Sequence, residues 1–332
     1  MSDIVSCGRP VAPGREVGAM RWLVMGAGAT GGYVGGRLAA AGIPVTFVAR
    51  GAHLAALKEH GLRLHSRLGD LHLPVHATDR PADAGPVDVV LFAVKSYDTE
   101  AAMAQVADAV GPGTAILCIQ NGVDNEERLA ARFGAERVLG GAIRIEATIA
   151  APGVIVHSSP FARLEFGPWA GPAGPREQTM LADLTRAGID AALVEDARRA
   201  VWEKFLFLCS AAGVTSVTRA TIGEVLSCPE SRELFQQAVS EVAAVAAARG
   251  VDLGGDAVAR TMAFVDGLPP AMRTSMQRDI EQGRRIELDA LSGAVVRYGR
   301  AAGVPTPAHA FLYAALRPAA LAAERAYAAP AH

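Results

Sequence analysis

The residues Gly26-Ala27-Gly28-Ala29-Thr30-Gly31 follow directly on the apolar run Trp22-Leu23-Val24-Met25. A strand that runs into G-x-G-x-x-G can grip a pyrophosphate. The first glycine makes the tight turn, the second lets backbone N–H groups approach the phosphates, and the third lets the following helix pack close to the strand. These six residues are therefore the candidate cofactor cradle. The spacing predicts a helix from about Ala29 to Ala41 with its positive end facing the anion. Gly42 then stops the helix, and Pro44 to Ala49 reads as a second buried strand, which completes a β-α-β unit. In that context the motif points to a nicotinamide or flavin dinucleotide.

Arg50 stands at the end of the second strand, nineteen residues after Gly31, and no acid follows until Glu59. An acid there would favour the free ribose hydroxyl of NAD. A guanidinium can hold a 2′-phosphate through two charge-assisted bonds, so NADP(H) is the expected cofactor, with a solvated surface arginine as the alternative.

Two further polar residues sit where strands should end. Val87 to Val94 is a near-continuous apolar run suited to a central parallel strand, and Lys95 lies at its exit. Ala115 to Ile119 is another, leading into Gln120-Asn121-Gly122, and a helix from about Thr99 to Val110 links the two. In a doubly wound sheet the strand C-termini line the ligand crevice, which makes Lys95 and Asn121 candidates for chemistry unless they are ordinary loop polars.

The elements that position these residues form two halves. A hairpin-like region is predicted from Leu62 to Ala77, with strands near residues 138–145, 153–157 and 164–167 and a helix-strand pair closing near Val194. From Asp196 onward strand signals vanish, and alanine-rich helical stretches alternate with breaks at Gly223, Gly250, Gly267, Gly283 and Gly303. The expected fold is α/β: a Rossmann-like doubly wound nucleotide domain over residues 20–194, then an all-helical substrate or dimerisation domain over 195–325. Residues 1–19, rich in glycine, proline and arginine, read as a mobile tail without a signal peptide's apolar core.

Bulk properties narrow the partners. A net charge of −2, from 32 basic and 34 acidic residues, leaves no basic run for nucleic acid. No apolar stretch is expected to span a bilayer, so a membrane is not an expected partner. Cys7, Cys118, Cys209 and Cys228 have no paired metal-ligand spacing, and His65, His72 and His76 fall on an alternating stretch where surface positions are expected. Zinc is not expected, and reduced thiols suit a cytoplasm. The apolar C-terminal helices could bury against a second subunit, so a homodimer is possible.

Taken in order, Gly26-x-Gly28-x-x-Gly31, Arg50, Val94-Lys95-Ser96, Gln120-Asn121-Gly122, Trp202-Glu203-Lys204 and Arg285-Ile286-Glu287-Leu288-Asp289 resemble the ketopantoate reductase (2-dehydropantoate 2-reductase) family over roughly residues 20–320. The resemblance implies NADPH-dependent reduction of a 2-oxo acid to a 2-hydroxy acid, ketopantoate to pantoate for pantothenate synthesis. It makes Lys204 the general acid. Hydride arriving at a ketone carbon builds negative charge on oxygen, which an ammonium stabilises and protonates. A free lysine, at a pKa of about 10.4, is a sluggish donor, so burial between domains should lower it. A surface lysine on an amphipathic helix is the competing reading.

By the same resemblance Glu287 would bond the substrate hydroxyl, sit near the cofactor and set the electrostatics around Lys204. Ser275 would contact substrate, and Lys95 and Asn121 would lie at the nicotinamide ribose and the substrate mouth. Alternatives are a helix-surface ion pair of Glu287 with Arg284 or Arg285 and an N-cap role for Ser275.

One departure stands out. Family members that contact ketopantoate carry asparagines where this chain has Leu208, Ala212 and Ile222. Residues 204, 208 and 212 share one helix face, so a polar wall beside the acid becomes apolar. Each lost partner for a buried polar group costs about 1–3 kcal/mol, which predicts a more apolar oxo compound as the better substrate. Other classes fit the same residues less well. A non-catalytic NADP(H) sensor has no need of Lys204. A short-chain dehydrogenase needs Tyr-x-x-x-Lys, which none of the five tyrosines provides.

Overall fold

In the computed structural model, which describes residues 20–328, the chain opens with β1 (Trp22–Met25), α1 (Ala29–Ala40), β2 (Val45–Val48) and α2 (Gly51–His60). Three short strands follow, β3 (Leu62–Ser66), β4 (Leu71–Leu73) and β5 (His76–Thr78). Then come β6 (Val89–Phe92), α3 (Thr99–Val106), β7 (Ala115–Cys118), α4 (Asn125–Phe133) and β8 (Val138–Arg144). The half closes with β9 (Ala147–Ala151), β10 (Val154–His157), β11 (Arg163–Pro168), α5 (Pro175–Arg186) and β12 (Asp190–Leu193).

The main sheet runs β12-β11-β8-β7-β6-β1-β2-β5. Its six strands from β5 to β8 are parallel and in the doubly wound order, beyond which β11 runs antiparallel to β8 and β12, parallel to β11, forms the far edge. Strand alternation splits β1 between two cores: Trp22 and Val24 pack under α1, while Leu23 and Met25 face the α3 side. The indole N–H of Trp22 donates to Asp183 on α5 at 3.1 Å, which satisfies a polar atom inside that layer.

The second sheet, β4-β3-β10-β9, was not foreseen. β3 and β4 form the expected hairpin, but His76 and Ala77 leave it and join the main sheet beside β2. Pro74, which has no N–H to extend a ladder, separates the two roles. His65, His72 and His76 are all exposed, on three different strands. The helix expected to reach Val110 ends at Val106 in a tighter turn over Ala107–Ala109.

From Ala197 onward the chain is helical: α6 (Ala197–Thr218), α7 (Ile222–Ser227), α8 (Pro229–Ala248), α9 (Ala257–Asp266), α10 (Ser275–Glu281), α11 (Ser292–Ala302) and α12 (Pro307–Ala328). Asp196 caps α6, its carboxylate accepting from the Arg199 N–H at 2.9 Å. α6 packs against α8, α10 and α12 and also lies against β8, so one helix touches both halves.

Two expectations are corrected here. α6 is long and apolar enough by length and composition to cross a membrane, yet 72% of its apolar window is buried as the core helix of this domain. Gly223 does not break a helix but lies in the first turn of α7, where its lack of a side chain lets Pro270 approach: a Cβ there would meet Pro270 at 2.6 Å. The expected tail over residues 1–19, and Cys7 with it, lies outside the described residues.

Candidate active site

The glycine cradle has the geometry its spacing requires. Gly26 adopts φ +101°, and a Cβ there would sit 2.8 Å from the Val94 nitrogen. A Cβ on Gly31 would meet the Gly26 carbonyl oxygen at 2.2 Å, so only glycine lets α1 approach β1 this closely. Gly28 faces open space instead, and no side chain caps the first turn of α1. The N–H groups at the start of α1 are thus left for a ligand, which is how a pyrophosphate would be held. A dinucleotide fits the residues present.

Arg50, at the start of α2, is largely exposed and its side chain bonds the Asp98 carboxylate. Lys95 leaves β6 beside α1 and lies between two acids of the helical half, 3.2 Å from Asp279 Oδ2 and 3.3 Å from Glu287 Oε2. Glu287 holds it well above the ordinary lysine range against the opposing effect of burial, with Asp279 adding to the rise.

Glu287 is 6% exposed and lies on the irregular segment between α10 and α11. Its Oε1 accepts from the Ser96 backbone N–H at 2.9 Å. The helix-surface pairing with Arg284 or Arg285 is therefore overturned: Arg284 bonds Asp279 and Arg285 turns toward Asp98. Burial alone would raise the Glu287 carboxyl, but Lys95 and the Ser96 N–H outweigh it and hold it below the usual range. An ionised carboxylate here joins the two halves of the protein.

Lys204 comes from α6, with Val201, Phe205 and Leu208 on its own helix face and Trp202 and Leu206 buried on the other side. Its ammonium donates to Asn121 Oδ1 at 3.0 Å, a bond between the helical half and the loop after β7. Asn121 is itself steadied, since its carbonyl accepts from Asn125 Nδ2 at 2.9 Å. Burial, reinforced by the Arg144 guanidinium, lowers Lys204 to about 8, while Glu287 and Glu126 pull the other way. A lysine poised there can give up a proton near neutral pH.

Beside Lys204 is a cavity of about 10 Å³, room for about one water. It is lined by Gln120, Gly122, Gly141, Val201, Phe205 and Leu208. Leu208, one turn beyond the lysine, thus meets the cavity. Ala212 and Ile222 are enclosed instead in the apolar core of the helical half. Ser275 is exposed at the first turn of α10, and Thr274 rather than Ser275 is the N-cap, its hydroxyl accepting from Gln277 N–H at 3.3 Å. The N-cap reading of Ser275 is therefore corrected by one residue.

Three residues of this region were missed. Arg144, at the end of β8, faces Lys204 and bonds Glu165 at 2.5 Å. Glu126, in the first turn of α4, is fully buried, and neither carboxyl oxygen has a hydrogen-bond partner among the described residues. Asp98 follows Lys95 by three residues and collects two arginines. Arg144 occupies the last position of a strand of the parallel core, the signal that singled out Lys95 and Asn121. Nothing in spacing marks the other two.

A six-strand parallel core, a helix N-terminus with no side-chain cap over a glycine turn and a buried lysine offered by a helical domain define a two-domain nucleotide-dependent oxidoreductase. The chain matches the family model described as ketopantoate reductase PanE/ApbA over residues 22–171 and that of the same family's C terminal region over residues 196–320. It is 34% identical to a 2-dehydropantoate 2-reductase of Archaeoglobus fulgidus over 286 residues, covering 85% of this chain and 91% of that one. Its fold is that of a PanE/ApbA family ketopantoate reductase from Ralstonia eutropha, with a TM-score of 0.85, 30% identity and coverage of 92% and 100%. A D-mandelate dehydrogenase solved with NADH and anilino(oxo)acetate has the same fold at TM-score 0.85 and 20% identity, covering 92% of this chain and 99% of that one. The chain belongs to the ketopantoate reductase family.

Proposed function

We propose that the protein is an NADPH-dependent reductase of 2-oxo acids to 2-hydroxy acids, with ketopantoate the leading named substrate and Lys204 the general acid. The observation that carries the reading is the bond from Lys204 to Asn121 beside the cavity, made by an ammonium whose burial lowers it to about 8. Arg50 supports the 2′-phosphate cofactor. When bound, the reduced nicotinamide supplies the hydride.

The chain's own residues handle the proton and the charge. Asn121 orients the Lys204 ammonium toward the cavity, where a substrate carbonyl oxygen would accept a bond from it. As that oxygen gains charge, Lys204 Nζ gives up a proton to it. Glu287 and Lys95 keep the two halves in register, and Leu208 and Phe205 give the approach to the lysine an apolar wall.

A second reading rests on Leu208. With a leucine lining the cavity, a more apolar oxo acid than ketopantoate is the better substrate. Loss of NADPH absorbance, followed across a panel of 2-oxo acids with the Lys204→Ala protein beside it, tests both. Turnover of any 2-oxo acid that the variant loses supports the reductase. Tight NADPH binding without turnover of any carbonyl overturns it in favour of a non-catalytic NADP(H) sensor. Equal or higher kcat/KM for ketopantoate than for its apolar analogues overturns the second reading alone.

A further inference from the structure

Arg50 is not the only guanidinium at the adenosine end of the crevice. Arg285, from the segment that also carries Glu287, reaches across from the helical half to within 3.7 Å of Asp98 Oδ1. Asp98 Oδ2 is bonded by Arg50. One carboxylate, 21% exposed, thus sits between two cations, one from each half of the protein. Arg285 is itself 21% exposed and lies close to two rings, its guanidinium carbon 3.9 Å from the Tyr97 centroid and 5.0 Å from that of Tyr327 in the last turn of α12. Such cation–π contact restrains a guanidinium while leaving its N–H edge free to bond an anion.

Two arginines converging on a single carboxylate leave one positive charge uncompensated at this point, since Asp98 carries one negative charge. The Arg50 side chain bonds no other group among the described residues, and Arg285 makes no hydrogen bond there at all. A dianionic phosphomonoester matches two guanidiniums better than a carboxylate does, because it offers three acceptor oxygens and close to two charges.

We propose that Arg285 is a second ligand for the cofactor's 2′-phosphate, and that Asp98 is an internal anion that holds both arginines in place until that phosphate displaces it. This rests on the NADPH reading above. Its consequence is that the 2′-phosphate is gripped from both halves at once, so the group that marks NADP(H) also draws the helical half onto the nucleotide half. NADH, with no phosphate to offer, would leave the Asp98 bonds intact.

Equilibrium titration with NADPH and with NADH, followed by cofactor fluorescence, tests this without turnover. Arg285→Met should weaken NADPH on the order of tenfold and leave NADH nearly unchanged. Asp98→Asn, of the same size but neutral, should tighten NADPH about threefold or more and not NADH. Arg285→Lys should recover part of the NADPH affinity, and NADH binding reports that each variant is folded. Equal weakening of both cofactors by Arg285→Met makes it a packing residue and overturns the proposal. Weaker NADPH binding in Asp98→Asn makes the acid a positioning group for Arg50 and overturns it too. If wild-type protein prefers NADH, or Arg50→Met leaves the NADPH preference intact, the cofactor reading itself fails. A preference that Arg50→Met removes, with Arg285 and Asp98 variants inert, fails this proposal alone.

Discussion

The Lys204 ammonium on α6 donates to the Asn121 side-chain oxygen on the loop after β7, 3.0 Å away. Eighty-three residues separate the two in the chain, and the bond crosses between the two halves of the protein. If Lys204 supplies the proton, Lys204→Ala should lower kcat by about 10²- to 10⁴-fold. NADPH affinity should hold, because the glycine cradle lies on the other half. A variant that loses cofactor binding along with turnover would make the lysine a structural residue.

Arg144 bears on the pH dependence through Lys204. If Lys204 is the general acid it must be protonated to act, and activity should then fall as pH rises through about 8. Arg144 is a cation that lowers it, second only to burial. Removing that charge in Arg144→Met favours the ammonium and should move the alkaline limb of kcat/KM upward. An unmoved or downward-shifted limb would show that the guanidinium does not face the lysine in solution.

Gly31 tests the cradle. An alanine there puts a Cβ 2.2 Å from the Gly26 carbonyl oxygen, a backbone atom that cannot swing aside. Either α1 or the turn must move, at a cost of about 1–3 kcal/mol in stability. Denaturant unfolding should show that loss, and titration should show NADPH affinity reduced by about tenfold or more. Gly28→Ala, with nothing within 4 Å of its Cβ, should leave stability unchanged while still reducing cofactor affinity.

Leu208 is the one altered wall position that meets the cavity. Leu208→Asn restores an amide one turn from Lys204, so the ratio of kcat/KM for ketopantoate to that for an apolar 2-oxo acid should rise by about tenfold. An unchanged ratio would place the specificity determinant elsewhere.

Glu126 makes stability depend on pH. Burial, aided by the nearby Asp124 charge, raises its carboxyl to about 7. The folded state therefore favours the protonated acid, and the stability this gives is complete below the unfolded value near 4.5 and lost as pH rises through about 7. Glu126→Gln should unfold like wild type near pH ~4 and be the more stable protein near pH ~9, by up to about 3 kcal/mol. Equal stability at both pH values would mean that water reaches the carboxyl.

Much of this molecule is legible from local pattern. The β-α-β unit around Gly26, Gly28 and Gly31, the strand exits at Lys95 and Asn121 and the change to helices after β12 all follow from short-range rules of periodicity and turn chemistry. Adjacency in sequence suggests Arg284 or Arg285 as ion-pair partners for Glu287, whereas the groups that bond it, Lys95 and Ser96, are nearly two hundred residues away. Local neighbours are visible along a chain, and spatial ones are not.

The sequence by itself determined the cradle and the residues able to do chemistry, since backbone freedom at Gly26 and side-chain type at Lys204 are properties of single positions. Only the tertiary structure decided what those groups face. Packing α6 against β8 buries Lys204 beside Arg144 and brings it to Asn121, which changes its acidity. Packing among the helices encloses Ala212 and Ile222, and the approach of the two halves brings Arg285 to Asp98 and leaves Leu208 at the cavity. Electrostatics and desolvation depend on distances through space, and those are set when the two halves close on each other.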